Sequence, residues 1–182
     1  FIGIPITFSI GIASILYLLI NGTIPLNILA QQLMGGANSL PLMAIPFFIL
    51  SGSLMNTGGI TTRIFDFANT LVGHIPGGLG HVNVVNSVIF AGMSGSAVAD
   101  AAGTGQIEVE AMNKRGFPPG FTGAITAASS VLSPIIPPSI AGVIYAVMTN
   151  QSVGRIFMAG IVPGVVMAIT MMVAVFIISK RR

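Results

Sequence analysis

The 182-residue sequence contains no cysteine, only two histidines and few charged residues, which make up 6% of the chain. The lack of cysteine excludes a disulfide framework and metal sites built on thiolates, and two histidines alone offer no cluster of metal ligands. An ordinary soluble domain carries about 25% charged residues, so this chain has too few charges to cover a surface that faces water. Its net charge of +3 comes from side chains too scattered to form a nucleic-acid-binding face.

The chain is instead rich in long apolar segments, and 53% of its residues are hydrophobic, so lipid must cover much of it. Residues 1–20 are uncharged and long enough to cross roughly 30 Å of hydrocarbon. Residues 39–55, which we expect Pro41 and Pro46 to bend, predict a second crossing, and residues 153–179 predict a last one.

The two ends of the sequence indicate a fragment of a longer membrane protein. The chain opens abruptly on an apolar run that has no basic region before it and no cleavage site after it, which is not the pattern of a signal peptide. It closes on the basic residues Lys180, Arg181 and Arg182.

A polar stretch, "MSGSAVADAAGTG" at residues 93–105, lies in the middle of this apolar sequence. The apolar segment before it, residues 80–92, rises only roughly 20 Å as a helix, too short to cross the membrane. A second short helical stretch at residues 97–113 follows, which predicts a re-entrant hairpin with its turn at Ser94, Gly95 and Ser96. Backbone at that depth must line a protein or water cavity, because lipid cannot satisfy it.

The following apolar segment, residues 121–148, is interrupted by Pro134, Pro137 and Pro138. Three prolines within five residues are incompatible with a continuous helix, because each lacks an N–H donor and clashes with the preceding turn. We therefore expect a broken helix with an unwound centre over residues 133–139.

The distribution of basic residues supports the hairpin. If residue 1 lies on the cytoplasmic side and the hairpin returns to the side from which it entered, Arg155 is the only basic residue of the sequence that falls on the opposite side of the membrane. The positive-inside rule then places these residues on the cytoplasmic side: Arg63, Lys114, Arg115, Lys180, Arg181 and Arg182.

A hairpin tip and an unwound helix are the usual parts of a secondary-transporter binding site. Carbonyls at the end of one half-helix can coordinate Na⁺, and N–H groups at the start of the next favour an anion. The alternative is that the small residues and the prolines only allow close helix packing and kinks.

The ionisable and amide side chains in and near the hairpin each have an expected role. Asp100 is either a functional intramembrane carboxylate or a charge that favours a helix N-terminus. Glu108 and Glu110 are expected on a solvated surface at the cytoplasmic mouth. Asn83 and Asn86 are expected to make hydrogen bonds between helices.

These patterns divide the chain into four parts. They are scaffold-type transmembrane helices with an interfacial helix (residues 1–57), an amphipathic arm helix (58–76), a transport-type segment (77–150) and a transmembrane helix with a basic cytoplasmic end (151–182). Within the third part, the re-entrant hairpin covers about residues 79–115 and the broken helix about residues 119–149.

Four segments carry a resemblance to a known family: "IPFFILSGSLMNTGGI", "HIPGGLGHVNVVNSVIFAGMSGSAVADAAGTG", "KRGFPPGFTGAITAASSVLSPIIPPSI" and "GRIFMAGIVPG". They resemble the large membrane subunit of tripartite ATP-independent periplasmic (TRAP) transporters. The resemblance implies an all-α integral membrane protein, one repeat of an inverted-repeat, elevator-type ion transporter fold with a re-entrant hairpin and a broken helix. It further implies that the first transmembrane helix and the second repeat are missing here.

The same resemblance implies the site residues. One Na⁺ is expected on the backbone carbonyls of Ser133, Ile136 and Pro138 together with the tip residues Ser94, Gly95 and Ser96. The candidates for the substrate cavity are Ser94, Ser96, Pro137 and Ser139. Asp100 is a candidate for an electrostatic role, and no cofactor is implied besides Na⁺ as the coupling ion.

The implied function is a Na⁺-coupled import of organic acids across the bacterial inner membrane, with a small membrane subunit and a periplasmic binding protein as partners. An enzyme would need a paired nucleophile and base or a metal cluster, and neither is recognisable here. The alternatives are a Na⁺/carboxylate carrier of related fold without a binding protein, and a membrane scaffold that does not transport.

Overall fold

The computed structural model describes residues 5–22, 25 and 27–180, so that Arg181, Arg182 and the first four residues of the predicted first crossing lie outside the described residues. Within these ranges the regular secondary structure consists of ten α-helices and no strand. They are α1 (Ile6–Asn21), α2 (Asn27–Ala37), α3 (Leu40–Thr57), α4 (Ile60–Val72), α5 (Gly78–Ser94), α6 (Ala97–Ala102), α7 (Thr104–Lys114), α8 (Pro119–Ser130), α9 (Ile140–Met148) and α10 (Val153–Lys180). The chain forms two compact units, Phe1–Met43 and Ala44–Arg182.

In the first unit, α1 lies within the predicted first crossing, and α2 follows it in the part of the chain, residues 1–57, for which an interfacial helix is expected. Most apolar side chains of α1 are exposed, among them Ile6 at 78% and Ile20 at 86%. The helix ends because Gly22 takes a left-handed conformation, with φ of 60°, and its N–H caps the carbonyl of Leu18. Such an exposed apolar helix requires a lipid or protein environment.

Two helices of the described chain, α3 and α10, are long and apolar enough to cross a membrane, with mean hydropathies of 1.4 and 2.7. Helix α3 contains Pro46 in its interior, whereas Pro41 lies in its first turn. A proline in the first turn costs no hydrogen bond, because those N–H groups have no partner within the helix. The expectation that Pro41 bends this segment is therefore wrong.

Helices α5, α6 and α7 form a helical hairpin that turns at Gly95, which has a φ of 59°. The second arm is not the single helix that the sequence predicts, because it breaks at Gly103 between α6 and α7. A Cβ added at Gly103 would lie 2.8 Å from the carbonyl oxygen of Ala99, so glycine permits this tight break.

Helices α8 and α9 are separated by the non-helical residues 131–139, where the three prolines interrupt the sequence pattern. Turn hydrogen bonds replace part of the lost helical ladder. The carbonyl of Leu132 accepts from the N–H groups of Ile135 at 3.0 Å and Ile136 at 2.8 Å. The chain therefore stays compact through a segment that cannot be helical.

Helix α5 is the centre of the second unit and packs against α4, α7, α8 and α10. Its approach to α10 is close, since a Cβ at Gly80 would lie 2.8 Å from a methyl carbon of Val175. The buried apolar cluster around it consists of Ala68, Leu79, Val82, Val84, Met112, Ile125, Leu132, Ala168 and Val175.

A polar layer lies beside this apolar cluster, between α5 and α8. Asn83 donates to the hydroxyl of Thr126 at 2.8 Å and accepts from the hydroxyl of Ser129 at 2.6 Å. Ser87 donates to the Ser129 hydroxyl at 3.0 Å. Asn83 thus makes the hydrogen bonds between helices that the sequence analysis expects of it, and they fix α5 against the first half of the broken helix.

Replacing Asn83 by Ala should lower the free energy of unfolding by about 1–3 kcal/mol, because the buried Thr126 hydroxyl loses its donor and the Ser129 hydroxyl loses its 2.6 Å acceptor. The measurement is thermal unfolding of the full-length permease in detergent. Asn113→Ala is the matched control, since Asn113 is exposed at the end of α7. Equal melting temperatures for the two variants would show that this layer does not stabilise the fold.

Candidate functional site

The hairpin turn and the interrupted helix meet through their backbones. The carbonyl of Gly95 accepts a hydrogen bond from the N–H of Ile140, at 3.4 Å. A Cβ at Gly95 would lie 2.5 Å from the carbonyl oxygen of Pro138 and 3.0 Å from the nitrogen of Ile140. Only glycine fits this contact, both because of the space and because its φ is positive. We call residues 94–96 the tip and residues 133–139 the break.

Five carbonyl groups of the break accept no hydrogen bond from any residue that the structure describes. They include the three expected Na⁺ ligands, Ser133, Ile136 and Pro138, and also Ile135 and Pro137. By contrast, the carbonyl of Pro134 accepts from the hydroxyl of Ser139 at 2.5 Å. Carbonyls without a donor in a place shielded from water favour a cation.

Two serines cap the helices that follow the tip and the break. The hydroxyl of Ser96 accepts from the N–H of Ala99 at 3.4 Å, at the start of α6. The hydroxyl of Ser139 accepts from the N–H of Gly142 at 2.9 Å, at the start of α9. Both hydroxyls therefore satisfy helix N-termini, and that of Ser139 is engaged as a donor as well.

Asp100 connects the hairpin to the break. It is only 1% exposed, and the hydroxyl of Thr104 lies 2.6 Å from its Oδ1. The hydroxyl of Ser133 donates to its Oδ2 at 3.1 Å. In the described part of the chain no basic group pairs with this carboxyl, because the one salt bridge there joins Lys114 to Glu110. Asp100 also lies in the first turn of α6. Its position is therefore compatible with both expected roles, a functional buried carboxylate and a charge that favours a helix N-terminus.

A cavity of about 460 Å³ lies between α3 and the hairpin. Ser94 and Ser96 of the tip line it, whereas Pro137 and Ser139 do not. The other polar side chains at its wall are Ser53 and Asn56 of α3. No charged side chain is among the lining residues, which otherwise are Phe48, Ile49, Gly52, Phe90, Val98, Ala99, Ala102, Gly103 and Ile140.

The expectation that Glu108 lies on a solvated surface is wrong, since its side chain is only 1% exposed. Asn86 of α5 donates to its Oε1 at 2.5 Å. A signal was present in the sequence: Thr104, Glu108 and Met112 recur every four residues and form the buried face of α7. Glu110 is exposed as expected and pairs with Lys114 at 2.7 Å.

Comparison with known proteins identifies the family. The profile of the family "DctM: Tripartite ATP-independent periplasmic transporter, DctM component" matches residues 1–182. The chain is 47% identical to the sialic acid TRAP transporter large permease protein SiaM of Vibrio cholerae and 48% identical to the sialic acid TRAP transporter permease protein SiaT of Haemophilus influenzae, both over its whole length. It is 42% identical, over 94% of its length, to the 2,3-diketo-L-gulonate TRAP transporter large permease protein YiaN of Escherichia coli.

The chain spans less than half of each of these relatives: 43% of SiaM, 30% of SiaT and 40% of YiaN. The match of the family profile over the whole chain agrees with the helical structure and with the two helices of membrane-spanning length. The chain therefore belongs to the family of the DctM component, the large permease protein of tripartite ATP-independent periplasmic transporters.

Proposed function

We propose that this chain forms the Na⁺ site and part of the substrate site of a permease that imports organic acids across the bacterial inner membrane. The observation that carries the proposal is the backbone contact between the tip and the break, where carbonyls of the break have no hydrogen-bond donor among the described residues. The break also contacts a buried carboxyl, since the hydroxyl of Ser133 donates to Asp100. In this proposal a periplasmic binding protein delivers the acid and a small membrane subunit completes the complex.

The chemistry of the break fits Na⁺. A hard cation is bound by oxygen atoms, and unwound backbone in transporters supplies them as carbonyls. The carbonyls of Ser133, Ile136 and Pro138 are free to do so, together with the tip residues 94–96. Asp100 bonds to the side chain of Ser133, so its negative charge lies close to one proposed ligand and stabilises the cation without contacting it.

The cavity beside the tip explains how Na⁺ and an organic acid are coupled. Its lining contains hydroxyl and amide groups but no charged side chain, so the wall itself does not neutralise a carboxylate. A cation bound at the neighbouring tip supplies the missing positive charge. The acid therefore binds well only after Na⁺ has bound, and the two are transported together.

The hairpin and the broken helix are proposed to move together in an elevator mechanism. The layer around Asn83 joins α5 to α8, and the bond between Asp100 and Ser133 joins α6 to the break. The bond between Gly95 and Ile140 joins the tip to α9. Because all three contacts are buried polar or backbone contacts, relative motion within this group is costly and movement as one body is favoured. In the membrane, the hairpin is proposed to be re-entrant, with both ends on the cytoplasmic side.

The first test replaces Asp100 by Asn in the full-length complex. Loss of the negative charge should raise the Na⁺ concentration for half-maximal uptake about tenfold, which corresponds to about 1.4 kcal/mol. The measurement is uptake against Na⁺ concentration at saturating acid and binding protein, with sialic acid and C4-dicarboxylates as substrates. Glu110→Gln is the control, because Glu110 carries the same charge on an exposed face. Superimposable curves for Asp100→Asn and wild type would leave Asp100 with only a helix-start role.

The second test replaces Gly95 by Ala. The new methyl group would overlap the carbonyl of Pro138, and the positive φ adds about 1–2 kcal/mol of strain, so the tip must move away from the break. Uptake should be lost while the protein still inserts and assembles. Gly92→Ala is the control three residues earlier, where an added Cβ meets nothing within 4 Å. Wild-type uptake by Gly95→Ala would contradict a site formed by the tip and the break.

A further inference from the structure

A buried carboxyl and a buried amide face each other inside the hairpin. Together they have one hydrogen-bond donor too few for their acceptor oxygens. Glu108 of α7 and Asn86 of α5 are 1% and 0% exposed. The amide nitrogen of Asn86 donates to Oε1 of Glu108 at 2.5 Å. The remaining two oxygens, Oε2 of Glu108 and Oδ1 of Asn86, have no partner among the described residues. Both are acceptors when the carboxyl is ionised, so neither can satisfy the other.

No basic group compensates a charge on Glu108 in the described part of the chain. The elements packed against α7 are α4, α5, α6 and α8. Helix α8 has no ionisable side chain, and the ionisable residues of the other three are Arg63, Asp66, His81 and Asp100. Neither Arg63 nor His81 forms a salt bridge there, and His81 is hydrogen-bonded through Nε2 to the carbonyl of Pro76.

The remaining ionisable groups do not compensate Glu108 either. Asp100 has the same sign of charge, so it opposes ionisation of Glu108. On α7 itself, Glu110 and Lys114 pair with each other at 2.7 Å on the exposed face. An ionised Glu108 would therefore be a buried charge with a single neutral partner, which is a costly arrangement.

We propose that Glu108 is a proton-binding site and that its carboxyl is a neutral acid while the hairpin is packed as in the structure. One proton on Oε2 removes the buried charge and supplies the donor that the pair lacks, since Oδ1 of Asn86 is available to accept it. An acid and a primary amide then form two reciprocal hydrogen bonds. The proton is held between α5 and α7, the two arms of the hairpin.

This proton site is distinct from the proposed Na⁺ site. Asp100 receives hydroxyl contacts on both oxygens and touches the break, whereas Glu108 has one amide partner and is buried between helices. Raising the pH removes the proton from Glu108 and leaves an uncompensated charge between the arms. The packed hairpin is therefore stable at neutral pH and weakened at alkaline pH.

Infrared spectroscopy of the purified full-length permease tests the proton directly, without any transport assay. Wild type at neutral pH should show the C=O band of a protonated carboxyl, and Glu108→Gln should lose it. Glu110→Gln is the control and should lose none, because Glu110 is exposed and paired with a lysine. Equal carboxylic-acid bands in wild type and Glu108→Gln would overturn the proposal.

The pH dependence of uptake tests its consequence and rests on the proposed transport function. Above the titration midpoint the protonated fraction of wild type falls about tenfold per pH unit, and uptake should fall with it. Glu108→Gln mimics the neutral acid, so it should transport at neutral pH and lose this alkaline decline. Glu108→Ala should lose uptake, because Asn86 then has no partner. Parallel pH profiles of wild type and Glu108→Gln would contradict the proton site. Failure of wild type to transport would instead contradict the proposed function. In that case the infrared result still decides whether Glu108 holds a proton.

Discussion

The contact on which the rest of the site depends is the approach of two backbones, at Gly95 of the tip and at residues 138–140, where the break meets the start of α9. Gly95 and the break are not helical, and both have polar backbone groups that lipid cannot satisfy. By meeting inside the protein, the two segments satisfy part of this need, through the bond from Ile140 to Gly95. Among the carbonyls that remain without a donor in the described residues are those of Ser133, Ile136 and Pro138, for which we propose Na⁺ as the partner.

The buried polar side chains of the hairpin follow from the same constraint. Three of them have a partner on another element: Asn83 on α8, Asn86 on α7, and Asp100 at the break. Two carboxyls are thus buried in one unit with no base paired to either in the described residues. We account for them with two different cations, Na⁺ beside Asp100 and a proton on Glu108.

Several elements could be predicted from the sequence because single residues determine them. The prolines of the break cannot continue a helix. The arm before Gly95 is longer than the expected residues 80–92, because α5 covers Gly78–Ser94, which is 17 residues. The break at Gly103 and the burial of Glu108 were not predicted. The break at Gly103 depends on how the second arm packs against α5 and α8, and no local feature reveals it. The burial of Glu108 could have been found from the four-residue spacing of Thr104, Glu108 and Met112 on one face of α7. The combination of a hairpin tip and an unwound helix in one site was expected from the residues themselves, and the family resemblance added the individual Na⁺ ligands.

The most direct test of the account is a density difference map of the full-length complex between Na⁺ and choline, recorded at a resolution that shows ordered ions. We expect a peak enclosed by the carbonyls of Ser133, Ile136 and Pro138 and by the tip, present in Na⁺ and absent in choline. A map with Na⁺ bound elsewhere and no peak at the break would contradict the account.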